Sequence, residues 1–130
     1  MIVVDASVIA TALADDGSDG DAVRDHLLGD VSMHTPELLD LEVLSVLRRR
    51  RRAGQLDDRR AALAMQDLQA LALVRYPHLP FVERIWELRH NMTPYDAAYV
   101  ALAETLSCRL VTGDRRLSRA SGIRCEVEAL

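Results

Sequence analysis

Four acidic residues stand out in this sequence because of the apolar segments around them. Asp5 follows the apolar run IVV, and Asp114 comes shortly after the run LVT. Glu42 and Asp96 fall on the apolar faces of segments with helical periodicity, and Asp96 shares its face with Tyr99. Carboxylate oxygens that are brought together, without histidine or cysteine partners, are ligands for hard cations such as Mg²⁺ or Mn²⁺.

Each of these acids, taken alone, also has a structural explanation. Asp5 and Asp114 each precede a helical segment and would cap it. Glu42 is equally well explained by a salt bridge to Arg49, about two helical turns further along. Asp96 gains only about 0.3–1 kcal/mol from the dipole of its helix, which does not account for an inward direction.

Short apolar segments alternate with helical patterns, and this alternation predicts the fold that must position the acids. Strands are predicted at 2–4, 31–34, 109–112 and 123–127, with an ambiguous segment at 74–76. Helices are predicted at 6–14, 21–29, 36–52, 58–73, 80–90 and 93–107, with a turn cluster at 15–20 and a helical turn at 114–120. The pattern indicates an α/β fold with a parallel sheet. The length of 130 residues suits a single domain over residues 1–130.

A parallel sheet would give the acids a common location. Sites in such folds lie beyond the carboxyl ends of the strands, where the strand order reverses. Asp5 and Asp114 follow two predicted strands, and Asp96 begins the helix that leads into the second of them. Glu42 lies on the inner face of another helix. Two carboxylates about 5 Å apart repel by roughly 3 kcal/mol at an effective dielectric of about 20, so a bound cation is expected among them.

The segments around these acids resemble the PIN-domain family, and within it the VapC-like toxin ribonucleases of type II toxin–antitoxin systems. The resemblance rests on VVDAS (3–7), the Glu42 segment LLDLEVLSVLRR, YDAAYVALAE (95–104) and LVTGDRRL (110–117). Their order and spacing fit along nearly the whole chain. The most specific part is YDAAYVALAE followed closely by LVTGD.

The resemblance implies a three-layer α/β/α sandwich with a central parallel sheet. It implies that four acids form a catalytic metal site for Mg²⁺ or Mn²⁺, namely Asp5, Glu42, Asp96 and Asp114. Ser7 and Thr112 match positions that help to hold metal or water in the family. The resemblance also implies an RNA substrate, a homodimer and a small VapB-like antitoxin as partner.

These expectations together predict a metal-dependent endoribonuclease that acts as the toxin of a toxin–antitoxin pair. Metal-activated water would hydrolyse the RNA phosphodiester bond, with Asp5, Asp96 and Asp114 on the metal and Glu42 bound directly or through water. The alternative is a catalytically silent PIN-like module that binds nucleic acid or a protein partner. Haloacid-dehalogenase-type phosphatases and phospho-receiver domains would need a lysine, and this chain has none.

Overall composition bears on partners and compartment. The formal net charge of −4 does not indicate a general affinity for nucleic acid. The N-terminal segment lacks a basic start, and no segment approaches the roughly 18 uncharged apolar residues of a membrane helix. A cytoplasmic protein without membrane contact is therefore expected. Its two cysteines, Cys108 and Cys125, are expected to be reduced and buried, with a disulfide between them as the alternative.

Arginines and leucines near Glu42 allow two explanations each. The run Arg48 to Arg52 is explained either as a solvent-exposed helix end whose positive charges interact favourably with the helix dipole, or as a phosphate-binding site in which Arg49 is best placed. Leu44 and Leu47 form a second apolar face, for packing within the chain or for contact with another subunit or an antitoxin. Trp86 is expected to serve the core.

Overall fold

The strands of this chain form one parallel sheet. The computed structural model describes residues 1–29 and 32–130. Within them, the strands are β1 (Ile2–Val4), β2 (Met33–Pro36), β3 (Leu73–Tyr76), β4 (Leu110–Thr112) and β5 (Val127–Ala129). They pair in the order β3-β2-β1-β4-β5, and every pairing is parallel. The predicted α/β class with a parallel sheet is confirmed.

Helices cover both faces of this sheet. Those described are α1 (Ala6–Ala14), α2 (Ser18–Leu27), α3 (Leu38–Arg52), α4 (Asp58–Ala70), α5 (Val82–Glu87) and α6 (Pro94–Leu106). Helix α1 packs against α2, α3 and α4, whereas α6 packs against α5 and contacts β1, β2 and β4. The two groups therefore form the outer layers of a three-layer sandwich. None of the helices in residues 1–29 and 32–130 is long and apolar enough to cross a bilayer.

Buried strands and one buried helix make up the core. Strands β1 and β4 are buried along their whole length, which explains why their sequences are continuous apolar runs rather than alternating ones. Residues 97–103 of α6 are all buried, and four of these seven are alanines that let the helix lie close to the sheet. Each large side chain buried here contributes about 1.5–3 kcal/mol relative to an exposed position.

The strand order reverses at β1, and this reversal sets the position of the site. The chain passes from β1 to β2 and β3 on one side, and returns to β4 on the other side. Val4 is in register with Val111, so the carboxyl ends of β1 and β4 lie side by side. Asp5 directly follows the first of these ends, and Asp114 follows the second after Gly113, as the sequence predicted.

Several predicted boundaries differ from the observed ones. The strand predicted at 31–34 runs from Met33 to Pro36, and Val31 lies outside the described residues. The last strand is wrong in position, because it covers Val127–Ala129 and not 123–127. Strand β5 pairs with β4 so that Val127 lies opposite Leu110, and the Leu110 amide donates a 2.9 Å hydrogen bond to the Glu126 carbonyl. Only tertiary pairing could select that register.

Two further differences concern helices and turns. Helix α2 begins inside the predicted turn cluster, because the Asp15 side chain accepts a 2.7 Å hydrogen bond from the Gly17 amide and turns the chain into the helix early. The ambiguous segment at 74–76 belongs to β3. The helix predicted at 80–90 is a 3₁₀ turn (Leu79–Phe81) followed by the short α5.

The expectation that Trp86 serves the core is wrong. Its side chain is 66% exposed, because α5 has only six residues and no described element covers its outer side. The Arg89 guanidinium carbon lies 4.7 Å from the centroid of the Trp86 ring, which is a cation–π contact. On α3, Leu47 is buried whereas Leu44 remains 40% exposed, so only half of that second apolar face is used within the chain.

Candidate functional site

Asp5 is buried where β1 passes into α1. One carboxylate oxygen accepts hydrogen bonds from the Val8 amide (3.1 Å) and the Ser7 hydroxyl (2.6 Å). The Thr112 hydroxyl donates to the other oxygen. The helix-cap explanation of Asp5 is therefore confirmed. It is compatible with a further role, because an ionised carboxylate has about four acceptor positions and these contacts fill three.

Ser7 and Gly113 join the two strand ends. The Gly113 amide donates to the Ser7 hydroxyl oxygen at 2.9 Å, and the Asp114 amide donates to the Thr112 hydroxyl oxygen at 3.0 Å. A Cβ atom at position 113 would stand 2.9 Å from the Ser7 hydroxyl, so a larger residue would push Ser7 away from Asp5. Ser7 and Thr112 thus hold the Asp5 carboxylate in one orientation.

Asp114 both caps a turn and faces an arginine. Its carboxylate accepts a 2.8 Å hydrogen bond from the Arg116 amide, and the Arg116 guanidinium lies 3.2 Å away. These contacts with Arg116 hold the pKa of Asp114 below its usual range. The Arg116 side chain is 93% exposed, so its charge is free to move into solvent. Asp114 therefore carries a counter-ion that another cation could displace.

Asp96 lies in the first turn of α6 and points inward, as its position among apolar residues predicted. The Thr93 hydroxyl oxygen accepts a 3.2 Å hydrogen bond from the Asp96 amide, so Thr93 is the N-cap of α6. The neighbours of Asp96 on this face, Tyr99 and Val100, are buried. Burial raises the pKa of the Asp96 carboxyl, and the negative charges of Asp114 and Asp5 raise it further.

Glu42 has a tyrosine partner and not the arginine that one explanation required. The Tyr99 hydroxyl donates a 2.7 Å hydrogen bond to the Glu42 carboxylate. In the described parts of the chain no ion pair joins Glu42 to Arg49, so the salt-bridge explanation is wrong. Burial raises the pKa of Glu42, the Tyr99 bond opposes this shift, and the charges of Asp96 and Asp5 add to it.

Tyr99 is the site residue that sequence reasoning missed. Its side chain is 2% exposed, and burial, with the bond to Glu42, raises the pKa of the phenol well above its usual value. The hydroxyl therefore remains a neutral donor that fixes Glu42 from the neighbouring helix. A signal existed in the sequence, because Tyr99 follows Asp96 by three residues and so lies on the same helical face.

The four predicted acids act on one another electrostatically. Asp96 is influenced by Asp5 and Asp114, and Glu42 by Asp5 and Asp96, so all four belong to one negatively charged region at the reversal of the sheet. Among residues 1–29 and 32–130, however, no group of three or more acidic, histidine or cysteine side chains is arranged to hold a metal ion. The donors are all carboxylate and hydroxyl oxygens, which suits Mg²⁺ or Mn²⁺ by ligand type.

Arg49 and the two cysteines take no part in the contacts that hold the four acids. Arg49 is exposed on α3 and, within the part of the chain that the structure describes, forms no ion pair. Cys108 and Cys125 are free thiols, as expected, but they are only partly buried. Burial raises the pKa of Cys125 to about 11, so its thiol stays protonated near neutral pH.

Comparisons with known proteins agree with this architecture. The family model described as PIN domain matches residues 2–123. A VapC ribonuclease of Mycobacterium bovis is 46% identical over 130 residues, which cover 98% of this chain and 96% of that relative. The fold is similar to that of PAE2754 from Pyrobaculum aerophilum, with a TM-score of 0.72, 23% identity and coverage of 98% of this chain and 82% of that one. It is also similar to Mycobacterium tuberculosis VapC20, a toxin that cleaves the sarcin-ricin loop, with a TM-score of 0.71, 18% identity and coverage of 95% and 96%.

Proposed function

Because this chain belongs to the PIN-domain family, we propose that it is a divalent-metal-dependent endoribonuclease and the toxin of a toxin–antitoxin pair. The observation that carries the proposal is the negatively charged region itself. Asp96 and Glu42 are half-buried, and the pKa of each carboxyl is raised first by burial and then by neighbouring carboxylates. Neither is neutralised by a basic side chain in direct contact within the described residues. The similarity to a VapC ribonuclease supports RNA as the substrate.

The chain's own residues would hold Mg²⁺ or Mn²⁺ in this region. We assign Asp5, Asp96 and Asp114 as direct ligands, and Glu42 as a ligand bound directly or through water. When bound, such an ion lowers the pKa of water and neutralises charge on the phosphate. Ser7 and Thr112 keep Asp5 oriented, and Tyr99 does the same for Glu42.

The test offers total RNA to the purified protein with Mg²⁺, Mn²⁺ or a chelator. Asp96→Asn should lower cleavage about a hundredfold or more, since several kcal/mol of charge stabilisation would be lost. The matched control is Asp40→Asn, because Asp40 forms a bidentate pair with Arg75 away from the site and should leave cleavage intact. If folded Asp96→Asn protein cleaves RNA as fast as the unchanged protein, the proposal is wrong.

One observation favours the second candidate, a catalytically silent module that binds nucleic acid or a protein. No described group of three or more potential ligands is closed around a metal position. Calorimetry with Mn²⁺ separates the two functions. The nuclease should bind Mn²⁺ and lose that binding in Asp96→Asn, whereas a module that only binds partners need not bind the ion.

We further propose a small VapB-like antitoxin as partner, acting on the protein in the cytoplasm. An anionic site attracts a basic side chain, so an arginine or lysine of the antitoxin would neutralise the carboxylates. Co-expression with the neighbouring open reading frame tests this mode of binding. Complex formation should weaken when Asp5, Glu42, Asp96 and Asp114 are all replaced by amides. A complex of unchanged affinity would contradict the role of the carboxylates.

A homodimer is proposed because of an uncovered apolar groove between α5, the start of α6 and the start of α3. The groove has a volume of about 500 Å³ and includes Leu38, Trp86 and Tyr95. Trp86 and Tyr95 are 66% and 62% exposed, which is unusual for large aromatic residues of a monomer. Trp86→Ala should shift the protein from dimer to monomer in light scattering after size-exclusion chromatography. Leu63→Ala, which truncates another exposed apolar side chain, should not.

Arg49 remains the proposed phosphate contact from α3. It is exposed, and the acids repel RNA, so a nearby cation would improve binding. Arg49→Ala should reduce the salt dependence of RNA binding. An unchanged dependence would leave the arginine run as a solvated helix end.

A further inference from the structure

A second cavity adjoins the acidic site between α1 and α2. Its volume is about 530 Å³, which lies in the range of about 300–1,000 Å³ typical of small-molecule sites. The two helices supply most of its wall, with Ser7, Val8 and Thr11 from α1 and Ala22, Val23 and His26 from α2. We call this space the α1–α2 cavity.

Ser7 and Gly113 make the α1–α2 cavity continuous with the acidic site. Both line the cavity, and both belong to the hydrogen-bonded link between the two strand ends. The Ser7 hydroxyl also donates to Asp5 at 2.6 Å. A chain that is cut at the carboxylates would therefore place its neighbouring unit at the opening of this cavity.

Arg115 supplies a positive charge at the same opening. It is exposed and lines the cavity, one residue after Asp114. Arg116 pairs with Asp114, but in the stretches 1–29 and 32–130 Arg115 forms no ion pair. A polyanion that approaches four carboxylates needs such an uncompensated cation, because the acids repel its phosphates.

The interior of the α1–α2 cavity suits a flat, partly apolar group. Val8, Val23 and Ala22 give it apolar walls, and Asp19 offers a carboxylate acceptor for the amino groups of a base. The His26 ring also lines it, and its buried Nε2 atom has no partner of hydrogen-bond geometry in the described residues. The nearest acid, Glu128, lies 3.3 Å from this nitrogen as a possible ion pair.

We propose that the α1–α2 cavity binds the base of the nucleotide next to the scissile phosphate, while Arg115 contacts the phosphate of that nucleotide. This inference rests on the proposed ribonuclease function and deepens it, because it names a substrate subsite of the same centre. Arg115 and the cavity walls would then contribute to the choice of RNA sequence.

The first test measures binding without cleavage. A fluorescein-labelled single-stranded RNA is titrated by anisotropy into Asp96→Asn protein at several salt concentrations. The double variant that combines Asp96→Asn with Arg115→Ala should bind the RNA about tenfold more weakly than Asp96→Asn alone, which corresponds to about 1.4 kcal/mol. It should also reduce the slope of log affinity against log salt by about 0.7, the value for one phosphate contact on a single strand. Arg119→Ala removes the same charge from an exposed position of the same loop that does not line the cavity, and serves as control.

The second test fills the cavity. Ala22 is exposed at the cavity wall on α2, so Ala22→Phe occupies the space without disturbing the core, and Ala62→Phe at an exposed position of α4 is the matched control. After the cut in a short RNA has been mapped, the base on either side is removed by an abasic substitution. In the unchanged protein, one of the two abasic substrates should show a KM about tenfold higher. In Ala22→Phe that abasic substrate should show no further rise over the intact RNA.

The outcomes separate this inference from the proposed function. If the unchanged protein cleaves RNA but Arg115→Ala and Arg119→Ala weaken binding equally, the cavity subsite is wrong and the ribonuclease stands. The same holds if both abasic substrates are cleaved as well as intact RNA. If the unchanged protein cleaves no RNA with either metal, the proposed function itself fails. Binding of RNA that depends on Arg115 would in that case show an RNA-binding site at the cavity, and the proposal of a nuclease subsite would fail with the proposed function.

Discussion

Replacement of Asp96 by asparagine should stabilise the fold in a chelator, although the same change strongly lowers cleavage when metal is present. Asp96 is half-buried on α6, and its pKa is raised first by burial and then by the charges of Asp114 and Asp5. A raised pKa means that the ionised form is less favourable in the folded chain than in the unfolded chain. Near neutral pH, the carboxylate therefore opposes folding, and an amide of the same shape removes that opposition.

The expected gain follows from the charges around Asp96. At an assumed separation of about 8 Å and an effective dielectric of about 20, one neighbouring carboxylate would repel Asp96 by roughly 2 kcal/mol. The Arg116 charge and a hydrogen bond with Thr93 oppose part of this repulsion. Asparagine also loses about 0.3–1 kcal/mol of interaction with the helix dipole. The N-cap bond from the Asp96 amide to Thr93 is a backbone contact and is retained. The balance predicts about 1 kcal/mol of added stability, or a melting temperature about 4 °C higher for a chain of this length.

Differential scanning fluorimetry and urea unfolding in a chelator measure this change. Asp40→Asn is the control for an acid with a structural role, because its bidentate pair with Arg75 would be broken. It should lower stability by about 1 kcal/mol. Adding Mn²⁺ in place of the chelator should stabilise the unchanged protein by mass action, and its stability should approach that of Asp96→Asn. If Asp96→Asn is destabilised as much as Asp40→Asn, the carboxylate is a structural element and the reasoning fails.

The remaining predictions concern Tyr99, Glu104 and the core. Tyr99→Phe should leave the fold intact but weaken Mn²⁺ binding and RNA cleavage about tenfold. The reason is that Glu42 loses a hydrogen bond to a charged group, which is worth about 1.5–3 kcal/mol. Unchanged Mn²⁺ binding in calorimetry would contradict the role of Tyr99 in positioning Glu42. Burial alone would raise the pKa of Glu104, but the bonds from Arg84 and the Arg124 amide lower it on balance. Because its pKa is lowered on folding, ionised Glu104 stabilises the fold at pH values above the usual carboxyl pKa, and this stabilisation disappears as the pH falls through the lowered pKa. Glu104→Gln should therefore lower the free energy of unfolding by about 2 kcal/mol near neutral pH and by little in strong acid. Urea unfolding across this pH range measures the difference, and an equal loss at all pH values would exclude the ionic contribution. Leu102→Ala should lower the free energy of unfolding by about 2–5 kcal/mol, because Leu102 is fully buried in α6; a change below about 1 kcal/mol in a urea melt would contradict its place in the core.

The sequence by itself determined the fold class and the general location of the site. Continuous apolar runs such as IVV and LVT indicate strands that are buried on both faces, and both became central strands of a parallel sheet. The acids that follow them are local features, because a residue after a parallel strand must lie at its carboxyl end. The inward direction of Asp96 was likewise predictable, since a helical face depends on neighbours a few positions away.

Only the tertiary structure decided which groups meet across the chain. Glu42 has Tyr99 as its partner and not Arg49, although Arg49 lies on the same helix, because α6 brings the phenol to the inner side of α3. The exposure of Trp86 depends on which element covers α5, and the register of β5 depends on its pairing with β4. Such contacts join residues far apart in sequence, whose spacing carries no local signal. Periodicity within one helix or strand predicts the direction in which a side chain points. Which residue that side chain contacts depends on how a second helix or strand packs against the first.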